Sequence, residues 1–292
     1  MNRSLNEWWI SPSEGAVQRL LVLDGSNIAR AASGPNRQQL SCAGLLSTLR
    51  WIAEHNFEPV VFVPITYNNA NNLNTTHAHL LRRLEQLQVL TFTPARQRRA
   101  ERGAFINYDD LIILEYAYRH GGCVMSGDHY KDILAKEEYT HLSDVVRNGR
   151  IDVHFVRLPS DWVECGHDKW HKYAPILYVG ERRNCPLGDD ALRRRLWLSP
   201  DDGELYQRAT TRRLGHWSSS RRAHLLSSFD DLFYELYETS IARPLKMDPV
   251  SMARHLRAFR ISCMNTIELG PVPSAAEAAL VNASPSSRMS SD

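Results

Sequence analysis

The strongest constraint on the fold is an alternation, between residues 19 and 158, of short apolar runs with longer segments of helical periodicity. The apolar runs have the length of buried β-strands and cover residues 19–24, 59–63, 89–93, 123–126 and 152–156. Strands that are joined by helix-length segments form right-handed crossovers, which place the strands side by side and parallel. The sequence therefore predicts one α/β domain, over residues 19–158, with a central parallel sheet.

The segments between these runs predict helices over residues 41–55, 75–86 and 108–120, and helical segments up to residue 148. In the first of them, Leu45, Leu49 and Ile52 share one face, and Ser41 is a typical N-cap residue. Gly121 ends the third helix. We expect these helices to cover the sheet.

Beyond residue 158 the periodicity weakens, although residues 228–238 and 249–264 each predict an amphipathic helix. The chain ends in a stretch rich in Ala, Ser and Pro, which we expect to be disordered. The predicted organisation is an N-terminal segment (1–18), the α/β domain (19–158), an Arg- and Trp-rich, partly helical extension (159–270) and a tail (271–292).

The composition excludes a polybasic protein, because 35 Lys and Arg face 33 Asp and Glu in 292 residues. Thirty of the 35 basic residues are Arg. This bias is typical of nucleic-acid binding or, equally, of genomic base composition.

The cysteines and the apolar runs indicate the compartment. The chain has five Cys without a CxxC pair, which favours a reducing compartment. It has no signal-peptide pattern and no long apolar run, so we expect no membrane partner. We expect the cytoplasm, RNA granules included, and leave the nucleus open.

Acidic residues follow the predicted strands. Asp24 closes the first strand, Asp109 and Asp110 open the helix after the third, and Asp128 and Asp132 follow the fourth. Parallel strands direct such residues to one edge of the sheet, where the carboxylates repel one another unless a cation lies among them. Each acid alone is more often a helix cap or turn residue, but their coincidence favours a metal site.

Mg²⁺ is the cation that this ligand set favours, with Mn²⁺ as a substitute, because Mg²⁺ prefers carboxylate oxygens, retained waters and substrate phosphates. A carboxylate-held Mg²⁺ polarises a phosphoryl oxygen and orients water for attack. The acids therefore predict metal-assisted hydrolysis of a phosphodiester.

Six motifs occur in one order and spacing: 23–29 (LDGSNIA), 41–44 (SCAG), 61–64 (VFVP), 92–94 (FTP), 107–110 (NYDD) and 126–132 (SGDHYKD). Together they resemble the NYN domain of the Regnase/MCPIP (Zc3h12a-like) endoribonucleases. The resemblance implies a PIN-like three-layer sandwich and Mg²⁺-dependent cleavage of single-stranded or stem-loop RNA, in mRNA decay or RNA silencing. Members of this family self-associate, so the resemblance makes a homo-oligomer of this chain an expectation to test.

The resemblance assigns roles residue by residue. Asp24 matches the first catalytic aspartate, Asn27 the asparagine that orders the metal site, and Asp109 and Asp110 the paired aspartates. Asp128 matches the acid after the fourth strand, and Asp132 matches the second acid of that motif. We expect Asp24, Asp109, Asp110 and Asp128 to be catalytic. The expected metal set is Asp24, Asp110, Asp128, Asn27 and Asp132.

Three departures from the family pattern concern the surroundings of the site. Gly127 stands where the family usually has Asn, which removes a side chain that could hydrogen-bond there. Ala43 stands where the family often has Arg. Residues 65–69 lack the basic side chains that members often carry after the second strand. These departures leave the predicted acids in place and predict weaker RNA contacts.

Two Arg-rich stretches are candidate RNA contacts. Arg96, Arg98, Arg99 and Arg102 lie in the loop that leads into the helix of Asp109, so they should form a positive rim beside the acids. The alternative is a solvated loop. A second stretch, residues 182–222, contains ten Arg with Trp197 and Trp217. It suits single-stranded RNA or, equally well, an extension packed on the domain.

A CCCH zinc finger, which Regnase-type proteins carry after the nuclease domain, has no counterpart in this sequence. Cys165, His167, His171 and Cys185 have an unusual spacing for structural zinc, and we predict none. RNA choice would then depend on the extension or on a recruiting protein partner.

The sequence thus predicts a Mg²⁺-dependent endoribonuclease. One alternative is a catalytically weak or inactive RNA-binding scaffold that retains the fold. A weaker alternative is a phosphatase of the haloacid dehalogenase type, which requires a second Asp where this chain has Ser26.

Overall fold

The structure is a computed structural model that describes residues 11–33, 39–68, 74–94, 108–157, 173–178 and 189–238, together with residues 248 and 250. Its strands are β1 Val17–Gln18, β2 Leu21–Asp24, β3 Leu40–Ser41, β4 Pro59–Pro64, β5 Thr75–Thr76, β6 Leu90–Thr93, β7 Cys123–Met125, β8 Arg150–Arg157, β9 Tyr173–Tyr178 and β10 Trp197–Leu198. Its helices are α1 Gly25–Ala31, α2 Cys42–Glu54, α3 His79–Gln86, α4 Tyr108–Arg119, α5 Lys131–Leu134, α6 Ser143–Asn148, α7 Asp189–Leu196, α8 Glu204–His216 and α9 Ser219–Tyr237.

The central sheet has the strand order β6-β4-β2-β7-β8-β9. Its first five strands are parallel, and they are the five strands that the sequence predicts. The sixth strand, β9, lies in the predicted extension and pairs with β8 in antiparallel orientation. The predicted α/β class with a central parallel sheet is therefore confirmed, and the antiparallel edge strand is an addition to it.

Alternate residues of each central strand enter two separate hydrophobic cores. In β2, Leu21 and Leu23 face the core under α1, α2 and α3, whereas Val22 faces the core under α4, α5 and α6. In β4, Val61 and Phe62 divide in the same way. This period of two is the consequence of burying both faces of a parallel sheet. The result is a sandwich of helices, sheet and helices, as predicted.

Helix bounds agree with the predictions for α2 and α4, and Gly121 ends α4 with a φ of 60°. The predicted start at residue 75 is wrong, because α3 begins at His79. Thr75 and Thr76 instead pair with β3, and His77 has a φ of 55°, which helix geometry excludes.

The C-terminal helices share the core of the sheet. Leu196, Trp217 and Phe229 belong to the same buried cluster as Leu21 and Val61. Helix α9 begins nine residues before the predicted start at residue 228, with Ser218 as its N-cap. The residues that the sequence predicts to face inward are buried: Phe229, Leu232, Phe233 and Leu236. The predicted helix at 249–264 and the tail at 271–292 lie outside the described residues, as does residue 158, where the predicted domain ends.

Residues 17 and 18 pair with β10, so the end of the predicted N-terminal segment is attached to the extension. Within the described ranges, none of the helices combines the length and the apolar character that crossing a bilayer requires.

Candidate active site

The parallel sheet directs the ends of β2 and β7 to the same edge, which we call the carboxyl edge. Strand β2 ends at Asp24, and β7 is followed by Ser126, Gly127 and Asp128. Because β2 and β7 are neighbours in the sheet, these residues face one another across adjacent strand ends.

Asp24 is buried, with an exposed fraction of 6%, and serves as the N-cap of α1. One carboxylate oxygen, Oδ1, accepts hydrogen bonds from the Asn27 backbone N–H (3.0 Å) and the Ser26 hydroxyl (3.1 Å). The other, Oδ2, accepts one from the Ser126 hydroxyl (3.0 Å). Burial raises the pKa of Asp24 above its usual value, and nearby Asp128 raises it further, against the lowering effect of these donors. Asp24 is thus a helix cap and also a carboxylate held in an unfavourable anionic state.

Asn27 joins α1 to the turn after β7, because its side-chain Oδ1 accepts the Gly127 backbone N–H at 3.0 Å. The backbone of residue 127 therefore makes a hydrogen bond at the site although the residue has no side chain. A Cβ at this position would lie 2.9 Å from Asp152 Oδ1 and 3.2 Å from Asn27 Oδ1. The space beside Gly127 is thus filled by the carboxylate of Asp152.

Asp128 is exposed at the same turn. Its backbone N–H donates to the Ser126 hydroxyl at 3.1 Å, and its Oδ1 accepts the Tyr130 backbone N–H at 2.8 Å. The Ser126 hydroxyl therefore connects Asp24 with Asp128. One buried serine thus ties the Asp24 carboxylate to the backbone of Asp128, whose own carboxylate is held by the Tyr130 N–H.

Asp109 and Asp110 lie in the first turn of α4 and are each 8% exposed. The Oδ1 atom of Asp109 has no hydrogen-bond partner among the described residues. A buried carboxylate oxygen without a donor is costly, which distinguishes Asp109 from an ordinary solvated residue of a first helical turn.

Tyr130 lies near three of the acids. Its side chain is fully buried, and its hydroxyl interacts electrostatically with Asp24, Asp110 and Asp128. Burial, followed by Asp24, raises the pKa of this phenol well above its usual value, so the group remains a neutral donor. Carboxylates from β2, α4 and the turn after β7 therefore all lie within electrostatic range of one buried hydroxyl.

The donor set fits a Mg²⁺ ion in its chemistry. No group of three described His, Cys, Asp or Glu side chains lies close enough to hold a metal by direct ligation as they stand. Mg²⁺, however, is usually bound through one or two carboxylates, with waters and substrate phosphates completing the octahedron. The unpartnered oxygen of Asp109 and the raised pKa of Asp24 are both features that a bound cation would relieve.

Among the remaining predicted site residues, Asp132 lies exposed in the first turn of α5. It is not among the carboxylates that interact with the Tyr130 hydroxyl. The predicted RNA contacts Arg96, Arg98, Arg99 and Arg102 lie outside the described residues, and so do the four residues of the zinc set considered above.

Three residues at the carboxyl edge are missed by the sequence interpretation: Ser126, Tyr130 and Asp152. Ser126 and Tyr130 fall inside a recognised motif, but serine and tyrosine carry no acidic signal. Asp152 is placed beside Gly127 by the register of β7 with β8, in which Met125 lies opposite Ile151. An acid near the start of the neighbouring strand is the only sequence signal that could have indicated it.

The Arg-rich stretch 182–222 is used largely for packing. Six of its described arginines donate hydrogen bonds to the protein itself: Arg195, Arg208, Arg212, Arg213, Arg221 and Arg222. Trp217 is buried, with its indole N–H bonded to the Asn56 carbonyl at 3.0 Å. Of the two interpretations offered above, the structure favours an extension packed on the domain.

Comparison with known families gives a match over residues 17–164 to the family described as RNase_Zc3h12a, Zc3h12a-like Ribonuclease NYN domain. The match spans just over half of the 292-residue chain and covers all five parallel strands. It confirms the resemblance drawn from the sequence motifs.

Proposed function

The chain belongs to the Zc3h12a-like ribonuclease NYN domain family of metal-dependent ribonucleases, and on that premise we propose that it is a Mg²⁺-dependent endoribonuclease. The proposed substrate is single-stranded or stem-loop RNA. One observation carries the proposal: Asp24, Asp110 and Asp128 all lie within electrostatic range of the buried Tyr130 hydroxyl.

In this proposal Asp24, Asp110 and Asp128 hold the ion, Asp109 assists them, and Asp132 contributes from the outer side. Bound Mg²⁺ supplies Lewis-acid polarisation of the scissile phosphate and an activated water. The chain's own residues provide positions: Asn27 fixes the turn of Asp128 to α1, and the Ser126 hydroxyl orients Asp24. Burial of Asp24, Asp109 and Asp110 limits competition from solvent at these three carboxylates.

An exposed arginine near this edge supports a single-stranded substrate. Arg30 on α1 donates to the hydroxyl of Tyr67 in the turn that follows β4, and its guanidinium carbon lies 5.7 Å from the Tyr67 ring centre. A guanidinium paired with an aromatic ring suits the phosphates and bases of an unpaired strand. With the loop arginines 96, 98, 99 and 102, Arg30 would form the positive rim that residues 65–69 do not supply.

We further propose action in mRNA decay or RNA silencing in the cytoplasm, with recruitment by a protein partner. The net charge of +2 and the use of many arginines in packing both disfavour tight nonspecific RNA binding. A recruiting partner would supply the missing affinity, and self-association is a second way to enlarge the RNA-binding surface.

The test is cleavage of an end-labelled single-stranded RNA by the purified full-length protein. We expect cutting in Mg²⁺, loss of cutting in EDTA and recovery when Mg²⁺ or Mn²⁺ is restored. Asp24→Asn should abolish cutting while the protein remains folded, because Asn is also a good N-cap. Asp231→Asn, which changes an exposed acid on α9, is the matched control and should cut normally.

If Asp24→Asn cuts as well as the wild type, the site assignment is wrong. Tight RNA binding without cutting in either metal would favour the scaffold alternative.

A further inference from the structure

Tyr130 combines two unfavourable features at one position. Its backbone is left-handed, with φ 51° and ψ 35°, a conformation that is uncommon outside glycine. Its side chain is fully buried in the core under α4, α5 and α6. The left-handed turn is stabilised on one side by the bond from the Tyr130 N–H to Asp128 Oδ1. The turn therefore holds the Tyr130 backbone against Asp128, while the phenol is buried within electrostatic range of the acids.

The hydroxyl of Tyr130 makes no hydrogen bond of regular geometry among the described residues, although the Ser126 hydroxyl is close enough to interact with it. Its neighbour Ser126 donates its own proton to Asp24 Oδ2 and accepts the Asp128 N–H. Asp24, Asp110 and Asp128 all interact with the phenol electrostatically without accepting its proton in a regular hydrogen bond. A buried donor without a regular hydrogen bond thus lies within electrostatic range of three acceptors.

An unpartnered buried hydroxyl lowers the stability of the fold, and phenylalanine would fill the same space without that cost. Stability in the metal-free protein therefore does not account for the hydroxyl. Backbone strain and unsatisfied polar groups of this kind concentrate at functional sites, where a bound ligand completes them.

We propose that Tyr130 is a positioning residue of the metal site, whose hydroxyl donates to a carboxylate of the Asp24, Asp110 and Asp128 group when a divalent cation draws these carboxylates together. A carboxylate has two oxygens, so one can face the cation while the other accepts the phenol proton. Such supporting hydrogen bonds orient carboxylate ligands and strengthen metal binding. This inference rests on the proposed function, since it requires that the acids bind a cation.

The experiment compares the wild type with Tyr130→Phe in the full-length protein, by calorimetric titration with Mn²⁺ alone and by thermal unfolding in EDTA. We expect Mn²⁺ affinity to fall about tenfold. Thermal stability in EDTA should stay the same or rise, because an unpartnered hydroxyl is removed. Tyr206→Phe is the matched control: its hydroxyl donates to the Gly15 carbonyl at 2.9 Å, away from the acids, so Mn²⁺ affinity should not change.

A second readout separates metal binding from the chemical step. We expect the Mg²⁺ concentration that gives half-maximal RNA cleavage to rise about tenfold in Tyr130→Phe, with the maximal rate restored at saturating Mg²⁺. A residue with only a packing role would change neither value.

Equal Mn²⁺ affinity of the wild type and Tyr130→Phe would overturn the inference and leave the proposed function standing. A lower stability of Tyr130→Phe in EDTA would overturn it as well, because the hydroxyl would then have a partner in the metal-free fold. Failure of the wild type to bind Mn²⁺ would overturn both.

Discussion

The acids at the carboxyl edge and the arginines of the C-terminal helices are both concentrations of charge, and they are used in opposite ways. The acids of the first group lie near one another, and burial and Asp128 raise the pKa of Asp24. The arginines of the second group find partners within the protein. Arg222 donates to the Ala53 and Glu54 carbonyls at the end of α2, and Arg221 donates to the Leu87 carbonyl after α3.

This difference shows that a cluster of like charges does not by itself indicate a binding or catalytic site. A guanidinium that binds the free carbonyls at the end of a helix satisfies groups that would otherwise lack partners, so it stabilises the fold. Carboxylates that share an edge without a cation destabilise it. We therefore expect changes in the acids to reduce activity and leave folding intact, and changes in the arginines to do the reverse.

The largest expected effect concerns the acids. Asp128→Asn should lower the rate of RNA cleavage about a thousandfold, the size of loss that follows removal of a principal electrostatic group from an active site. The free energy of unfolding should stay the same or rise, because an Asn Oδ1 can still accept the Tyr130 N–H and the charge beside Asp24 is removed. Cleavage rates and urea unfolding of the same sample check the two expectations. A large loss of stability would show that Asp128 belongs with the structural charges.

The next effect concerns the arginines. Arg212 forms a short ion pair with Glu58 (2.5 Å), and the two side chains are only 12% and 9% exposed. Arg212→Ala should lower the free energy of unfolding by about 3 kcal/mol, because it leaves a buried carboxylate without its partner. Urea unfolding measures this loss, and RNA cleavage well below the melting temperature should persist.

Adding Glu58→Gln to Arg212→Ala removes the unpaired charge, so the double variant should regain much of the lost stability. If the double variant is as unstable as the single one, the ion pair does not account for the effect.

The smallest effect is a pH dependence of stability in EDTA. Because the pKa of Asp24 is raised in the folded state, its contribution to stability is fully present below the usual pKa of an aspartate and is lost as the pH rises through the raised value. Asp24→Asn has no such group. Urea unfolding between pH 4 and neutrality should therefore show the wild type losing stability relative to Asp24→Asn. A constant difference over this range would show that Asp24 is not destabilised by ionisation.

The sequence is sufficient to predict the parallel sheet and the edge at which the acids lie, because the order of the strands and the positions of their ends place Asp24, Asp110 and Asp128 at that edge. It does not suffice for Asp152 or Tyr130. The position of Asp152 depends on strand register, and that of Tyr130 depends on a left-handed turn that no local preference of tyrosine predicts. The start of α3 is missed because Thr75 and Thr76 pair with a distant segment. Tertiary pairing overrides helical periodicity there.

The role of the arginines could not be decided from the sequence, because an Arg- and Trp-rich segment has the same composition whether it binds RNA or helix ends. Trp217 and Arg213 illustrate this, since both bind the Asn56 carbonyl, in a turn whose position the sequence does not specify.

We propose that the acids bind a cation whereas the arginines stabilise the fold. The most direct test is to measure how much Mg²⁺ raises the free energy of unfolding. A cation that binds only the folded state at a hundred times its dissociation constant adds about 2.7 kcal/mol. We predict this increase for the wild type. Arg212→Ala should start from a lower stability and gain the same increase, and Asp24→Asn should gain none. Equal stabilisation of Asp24→Asn and the wild type, or no stabilisation of the wild type, would contradict the assignment of the acids to a cation.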